Sequence, residues 1–358
     1  MIYLDYQATT PLAPEARDAM LRWLDGPGGT GFGNPHSPHT LGRQAAAAIE
    51  LARDRVAALL PPDGKVIFTS GATEAINLAI RGAPDEGPIM VSALEHSAVG
   101  DTAAAVGDVE RWPVGEDGLI DLDYQFKTKP RMIAVMQVNN EIGTIQPMVQ
   151  IERRAREMGA LLLVDAVQAA GKIEIAHADM IAISAHKMHG PKGVGALWVR
   201  NGVELSSSIT GGGQEGGIRS GTLSPALCAG FGAAAKLAVE RRDADAVHVE
   251  TLWNRALELF EGWTLNGSAD ARWHGNLNLR REGLDASRLI SETRGVAFSA
   301  GSACASGSGR PSHVLKAIGL DDAAAKGSIR LGYGRYTTLK EFEEATERIN
   351  AAYAAQQA

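Results

Sequence analysis

Cysteine is nearly missing from this chain: 358 residues contain two, Cys228 and Cys304. Their contexts differ so much that they suggest no disulfide framework, and the scarcity points to a reducing, cytoplasmic setting. Positive charge is not in excess either. Lys and Arg number 35 against 42 Asp and Glu, giving a net charge of −7 and a pI near 5.8. That balance argues against nucleic acid or an anionic membrane as the main partner. No apolar run approaches the roughly 20 residues of a membrane span. Nor does a secretory leader open the chain, where strand-like Ile2-Tyr3-Leu4-Asp5 begins at once. Internal repeats and low-complexity tails are also missing. What remains is 45% hydrophobic, enough for a large soluble enzyme with a substantial core and two lobes around a cleft.

Apolar strand-like runs alternate with helical patterns from about Lys65 to Val199. The expected strands are Lys65–Ser70, Pro88–Ser92, Val109–Val114, Arg131–Val138, Ala160–Val164, Met180–Ser184 and Ala196–Val199. Helices between them predict an α/β fold with a mostly parallel, doubly wound sheet. Pro225 starts an Ala-rich amphipathic segment toward Gly262, with a break expected at the charged stretch Glu240–Asp245. The lobe boundary is expected there: residues 13–244 form the large domain, and 1–12 with 245–358 the smaller one. Two helices are expected in the latter, at Ala286–Arg294 and Lys340–Tyr353. Glycine clusters at 26–33, 211–217 and 301–309 read as loops and candidates for function.

Two strand ends carry the chemistry. In Ser184-Ala185-His186-Lys187-Met188-His189-Gly190, a lysine follows an apolar strand directly. Partial desolvation there lowers the amine pKa and frees Lys187 to form a Schiff base with a carbonyl. Alone, such a lysine is an ordinary loop charge. The preceding strand, however, ends in Asp165, 22 residues earlier, where open α/β sheets place their ligand crevice. A buried carboxylate needs a cationic partner, and the protonated pyridine nitrogen of pyridoxal phosphate is one. A third strand, Lys65–Ser70, runs into Gly71-Ala72-Thr73-Glu74, which opens an amphipathic helix. Backbone N–H groups at such a start bind a phosphate, although Ser70 or Thr73 could equally serve as ordinary helix caps.

The cysteines read as opposites. Cys304 lies in Ser299-Ala300-Gly301-Ser302-Ala303-Cys304-Ala305-Ser306-Gly307, a small-residue loop expected to be mobile and exposed, which suits a reactive thiol. Cys228, in Ala226-Leu227-Cys228-Ala229-Gly230-Phe231, reads as a small core hydrophobe.

Taken together, these stretches resemble the cysteine desulfurases of the class V aminotransferase group, fold type I pyridoxal phosphate enzymes. The resemblance runs in order along nearly the whole chain. It includes Tyr3–Thr10, Gly33–Ser37, Ser70–Glu74, Glu95-His96, Val138–Gly143, Asp165–Gln168, Ser184–Lys187, Gly211–Glu215, Arg219–Thr222, Gly301–Cys304 and Ser328–Arg330. It implies that Lys187 holds the cofactor and moves protons, that Asp165 pairs with the pyridine nitrogen, and that Gln168 bonds the phenolic oxygen. His96 stacks on the ring as an acid–base group, although outside the motif it would read as a helix cap or loop residue. Ala72, Thr73, Ser184 and His186 contact the phosphate, joined by Thr222 from a second subunit of a homodimer. Asn140 lies near cofactor and substrate, and Arg330 clamps the substrate carboxylate. Cys304 takes sulfur from L-cysteine as a persulfide, leaving L-alanine, and passes it to an iron–sulfur scaffold or sulfur-carrier protein. No metal is implied. Selenocysteine lysis, another class V reaction, or an inert pyridoxal-fold binding module are the alternatives. Departures from the pattern fall at Ala185, Thr210, Gly216 and Gly327, none of which removes a group the chemistry needs.

Overall fold

The computed structural model describes residues 1–84, 86–301 and 311–357. Cys304 and its neighbours therefore lie outside the described residues. The chain begins with β1 (Ile2–Tyr3), α1 (Pro14–Leu21) and α2 (Thr40–Ala57). The large sheet is then built from β2 (Gly64–Thr69), α3 (Ala72–Gly82), β3 (Ile89–Ser92), α4 (Ser97–Val106), β4 (Val109–Trp112) and β5 (Met132–Met136). It continues through α5 (Met148–Met158), β6 (Leu161–Asp165), β7 (Met180–Ser184) and β8 (Gly195–Arg200). Its strand order is β2-β8-β7-β6-β5-β3-β4. Only β8 runs against its neighbours β2 and β7; the pairs β7–β6, β6–β5, β5–β3 and β3–β4 are parallel. Every residue of β3, β5 and β7 is buried, which is why these strands read as unbroken apolar runs. The expected mostly parallel α/β architecture is the one found.

This topology gathers the chemistry. Asp165 and Ser184 end the adjacent parallel strands β6 and β7, so the residues after them emerge on one edge of the sheet. The reversed strand β8 starts at that same edge: Gly195 pairs with Ser184 on one side and with Thr69, the last residue of β2, on the other. A Cβ on Gly195 would lie 2.7 Å from the Gly71 backbone. A glycine is required there for the start of α3 to close onto the sheet.

After β8 comes α6 (Pro225–Leu259), one continuous helix of 35 residues. The break expected at Glu240–Asp245 does not occur. Between Ala238 and Val249 no residue is buried, because the helix there leaves one core and has not yet entered the next. The charges that looked like a breaker line a solvated crossing, and Lys236–Glu240 and Arg241–Asp245 pair along it at helical spacing. The first half of α6 packs into the core beneath the large sheet through Cys228, Phe231, Ala235 and Ala238. Its second half packs through Val249, Leu252, Trp253 and Ala256 into a separate core.

That second core belongs to β9 (Thr264–Leu265), β10 (Asn276–Arg280), α7 (Ala286–Glu292), β11 (Val296–Ala297), β12 (Ser299–Ala300), β13 (Ser328–Gly332) and α10 (Leu339–Gln356), while α8 (His313–Ala317) and α9 (Asp322–Lys326) pack against Leu94 and Ile142. Its antiparallel sheet has the order β12-β13-β10-β9. The N-terminal strand β1 joins this part, pairing with β11. Helices α7 and α10 fall where the sequence placed them. Among the described residues, no helix is long and apolar enough to cross a membrane.

Candidate functional site

A cavity of about 530 Å³ opens at the edge where β5, β6 and β7 end. Ala72, Thr73, His96, Asn140, Asp165, Gln168, Ser184, His186, Lys187 and Arg330 all line it. These ten residues come from six stretches of the chain. Thr222 is exposed and does not line the cavity of its own chain. Cys304, the remaining residue implied by the sequence, lies outside the described residues.

The start of α3 forms one end of the cavity. The helix has Gly71 at its N-cap with no side-chain hydrogen bond to the first turn. The capping that Ser70 or Thr73 could have supplied is not made: Glu74 accepts from the Ser70 N–H at 2.8 Å, one residue before the helix cap. Backbone donors at Ala72 and Thr73 are thus available to an anion, with the positive end of the helix behind them. His186 lies nearby, its Nδ1 3.2 Å from the Thr9 hydroxyl. Burial, together with the charges of Lys187, Lys192 and Lys172, pushes its imidazole down to about 4, so it is neutral at physiological pH.

At the other side stands Asp165, 6% exposed, accepting from the Val167 N–H at 2.9 Å. Burial pushes its carboxyl upward, while that N–H, the nearby His96 ring and the Lys187 charge pull it down. Behind it is the fully enclosed Glu95, which accepts from the Met136 N–H at 2.6 Å. Burial and the Asp165 charge push the Glu95 carboxyl well above the usual range. The wall therefore holds a carboxylate that a facing cation would stabilise.

His96 does two things at once. It is the N-cap of α4, its Nδ1 accepting from the Ala98 N–H at 3.1 Å, and its ring also lines the cavity. An Nδ1 that accepts is unprotonated, so the neutral ring carries its proton on Nε2. The cap and the functional reading are one arrangement, since the helix start fixes the tautomer.

Lys187 ends a short turn of helix after β7. Its Nζ donates to the backbone oxygens of Gln7 and Ala8, the latter at 2.7 Å. Arg330, in the middle of β13, is 1% exposed. It donates through Nη2 to Asp5 at 2.8 Å and through Nη1 to the Asn140 carbonyl at 3.0 Å, while its buried Nε has no partner among the described residues. Residue types did not reveal these acceptors. Gln7 and Ala8 act through carbonyls that every residue possesses, and Asp5 is brought to Arg330 only by the pairing of β1 with the C-terminal part. Their one signal was membership of the Tyr3–Thr10 stretch.

The loop carrying Thr222 is anchored to the same edge. Glu215 accepts from the Phe68 N–H at 2.7 Å and pairs with Arg53 at 2.7 Å. Arg219 pairs with Glu74, in the first turn of α3, at 2.6 Å.

An uncapped helix start, a buried carboxylate, a strand-end amine and a buried guanidinium with a spare N–H fit a phosphorylated, cationic, aldehyde-bearing ring together with an amino-acid carboxylate. Comparison with known proteins agrees. The chain belongs to the aminotransferase class-V family, whose profile matches residues 2–344. It is 42% identical to the mitochondrial cysteine desulfurase of Eremothecium gossypii, over 97% of this chain and 75% of that one. It is 41% identical to the cysteine desulfurase IscS of Rickettsia bellii, over 97% and 90% respectively. Among solved structures, the NifS-like protein of Rickettsia africae superposes with a TM-score of 0.89 at 27% identity, covering 99% of both chains. SspA, solved in complex with cysteine, superposes at 0.79 with 32% identity, over 94% of this chain and 100% of that one.

Proposed function

We propose that this protein is a pyridoxal phosphate-dependent cysteine desulfurase that converts L-cysteine to L-alanine and transfers the sulfur through a persulfide on Cys304. The observation that carries this reading is the single cavity shared by Lys187, Asp165 and the uncapped start of α3. When bound, pyridoxal phosphate supplies an electron sink that lets bonds to the amino-acid carbons break. The protein supplies the rest. Ala72, Thr73, Ser184 and His186 hold the phosphate, Asp165 keeps the ring nitrogen protonated, and Gln168 donates to the phenolic oxygen. The Lys187 amine would hold the cofactor and would carry protons at the substrate α-carbon. His96 exchanges a proton through Nε2. Arg330 binds the substrate carboxylate with Asn140 beside it. The Cys304 thiolate then takes the substrate sulfur: an S–S bond forms, the C–S bond breaks, and the carbon fragment gains protons and leaves as alanine.

The finer parts of the reading rest on the sequence resemblance together with particular features. A homodimer in which Thr222 completes the neighbour's phosphate site is supported by the exposure of Thr222 on a loop tied to α3 through Arg219–Glu74. A two-fold axis repeats such a contact reciprocally. A division into lobes at residues 244/245 is supported by the two cores that α6 enters on either side of that point. Transfer of the sulfur to an iron–sulfur scaffold or sulfur-carrier protein, in a cytoplasmic setting, belongs to the same reading. The test is spectroscopic and chemical. The purified protein should be yellow, should release alanine and, with a reductant, sulfide from L-cysteine without a keto-acid partner, and should lose both colour and activity in Lys187→Ala. A colourless wild type, or amino-group transfer in place of alanine release, overturns it.

A further inference from the structure

Lys172 plays no part in the reading above, yet it stands directly behind the cavity. Its Nζ donates to Gln168 Oε1 at 3.1 Å. The other end of that amide, Gln168 Nε2, donates to the Gln7 carbonyl at 3.0 Å, and the same carbonyl accepts from Lys187 Nζ. An ammonium only donates and a carbonyl only accepts. A flipped Gln168 would set an NH₂ against an ammonium and an amide oxygen against a carbonyl, so both contacts demand one orientation. In that orientation Nε2 has a second N–H left at the cavity wall. Gln168 lines the cavity, whereas Lys172 lies on the far side, beside a small void shared with Lys187, His189 and Arg335. No carboxylate pairs with Lys172 among the described ion pairs, so the Gln168 amide oxygen is its acceptor.

We propose that Lys172 is a positioning residue for the cofactor site: its hydrogen bond locks the Gln168 amide so that an N–H, never the oxygen, faces an anionic or phenolic oxygen of the ligand. The inference rests on the assignment of pyridoxal phosphate to this cavity and deepens it, adding a residue outside the ligand's reach. The cost of enclosing Lys172 fits a role. Burial and the adjacent Lys187 charge push its amine down to about 7, so the ammonium form that only donates prevails below that pH, while the Gln7 carbonyl demands the same amide orientation at any pH.

The test compares Lys172→Met, which keeps the length and loses the donor, with Lys172→Gln, which keeps a donor N–H without charge. Cofactor affinity is read from tryptophan fluorescence of reconstituted protein, alongside the pH midpoint of the holoprotein's visible band and the melting temperature of the cofactor-free form. Lys172→Met should weaken cofactor binding by about five- to ten-fold, as expected for losing one hydrogen bond of ordinary net strength. It should also raise the band's pH midpoint by about one unit, because the phenolic oxygen loses its fixed donor. The cofactor-free form should melt no lower than the wild type, and Lys172→Gln should recover most of the affinity. In a Gln168→Ala background, Lys172→Met should change neither affinity nor midpoint further. Equal effects of Met and Gln overturn the proposal, as do additive effects with Gln168→Ala or an unmoved midpoint in Lys172→Met. Should Lys172→Met fail to fold, a folded Lys172→Gln with the full loss of affinity overturns it too. A wild type that takes up no cofactor refutes instead the cavity assignment on which the inference stands.

Discussion

Replacing Asp5 with alanine isolates the energetics of the most deeply buried cation at the site. Arg330 is 1% exposed, and Asp5, whose side chain is 18% exposed, is its one carboxylate partner among the described ion pairs. Losing one partner of a fully buried pair costs about 3–5 kcal/mol, chiefly from stranding the remaining charge. The partial exposure of Asp5 and the retained bond from Arg330 to the Asn140 carbonyl reduce this to about 2–3 kcal/mol. For a chain of this length, with an unfolding entropy of about 0.75 kcal/mol/K, the cofactor-free protein should melt about 3–4 °C lower. Asp5→Asn, which keeps an acceptor oxygen, should lose about half as much. Urea unfolding followed by circular dichroism measures the free energies directly. The decisive control is Asp5→Ala combined with Arg330→Met, which removes the stranded charge and should be more stable than Asp5→Ala alone. An Asp5→Ala protein within about 0.5 kcal/mol of the wild type, or a double variant as costly as the two singles summed, refutes the reasoning.

The other expectations concern the cysteines and a buried histidine. Cys304→Ala should abolish sulfur transfer while leaving cofactor binding intact, and mass spectrometry after exposure to L-cysteine should find one added sulfur on the Cys304 peptide. Cys228 is 1% exposed, with its thiol pushed up to about 12 by burial, so Cys228→Ala should keep activity and cost on the order of 1 kcal/mol; sulfur added at Cys228 would contradict both statements. His189, 8% exposed and bonded through Nδ1 to the Pro11 carbonyl at 2.9 Å, is pushed down from 6.5 to about 4 by burial and by Arg335. Because the unfolded chain takes up that proton first, stability present above the ordinary histidine pKa is lost as pH falls toward 4, by about 3 kcal/mol. His189→Asn should flatten the urea-midpoint curve between those limits, and parallel curves for the two proteins would exclude the effect.

Much of the site was legible because buried parallel strands announce themselves as short apolar runs, and their last residues fall at one sheet edge. Asp165 and Lys187 could be paired from sequence for that reason alone. Helix α6 misled because a boundary between lobes was read as a break in the helix as well. The loss of apolar periodicity at Glu240–Asp245 marked a passage between two cores, while good helix formers and ion pairs kept the backbone helical. The acceptors of Lys187 were hidden for a different reason: a carbonyl leaves no mark in residue identity. Lys172 was passed over because its importance depends on which end of the Gln168 amide it meets.

The N-terminal strand has a consequence for the order in which the molecule is made. Ile2 pairs with Val296, Asp5 lies beside Gly332, and the Asp5 carboxylate waits for Arg330. The β1 segment therefore leaves the ribosome long before its partners do. At about 5–20 residues per second, the opening segment spends tens of seconds without the strands it will join. The large sheet, whose pairings lie between Gly64 and Arg200, can form meanwhile. The carbonyls that hold Lys187 are carried on that same segment, which is also tied to the large-sheet edge by the bonds from Gln168 to the Gln7 carbonyl and from Thr10 to the His186 carbonyl, so one stretch of chain serves both parts of the fold and the amine between them.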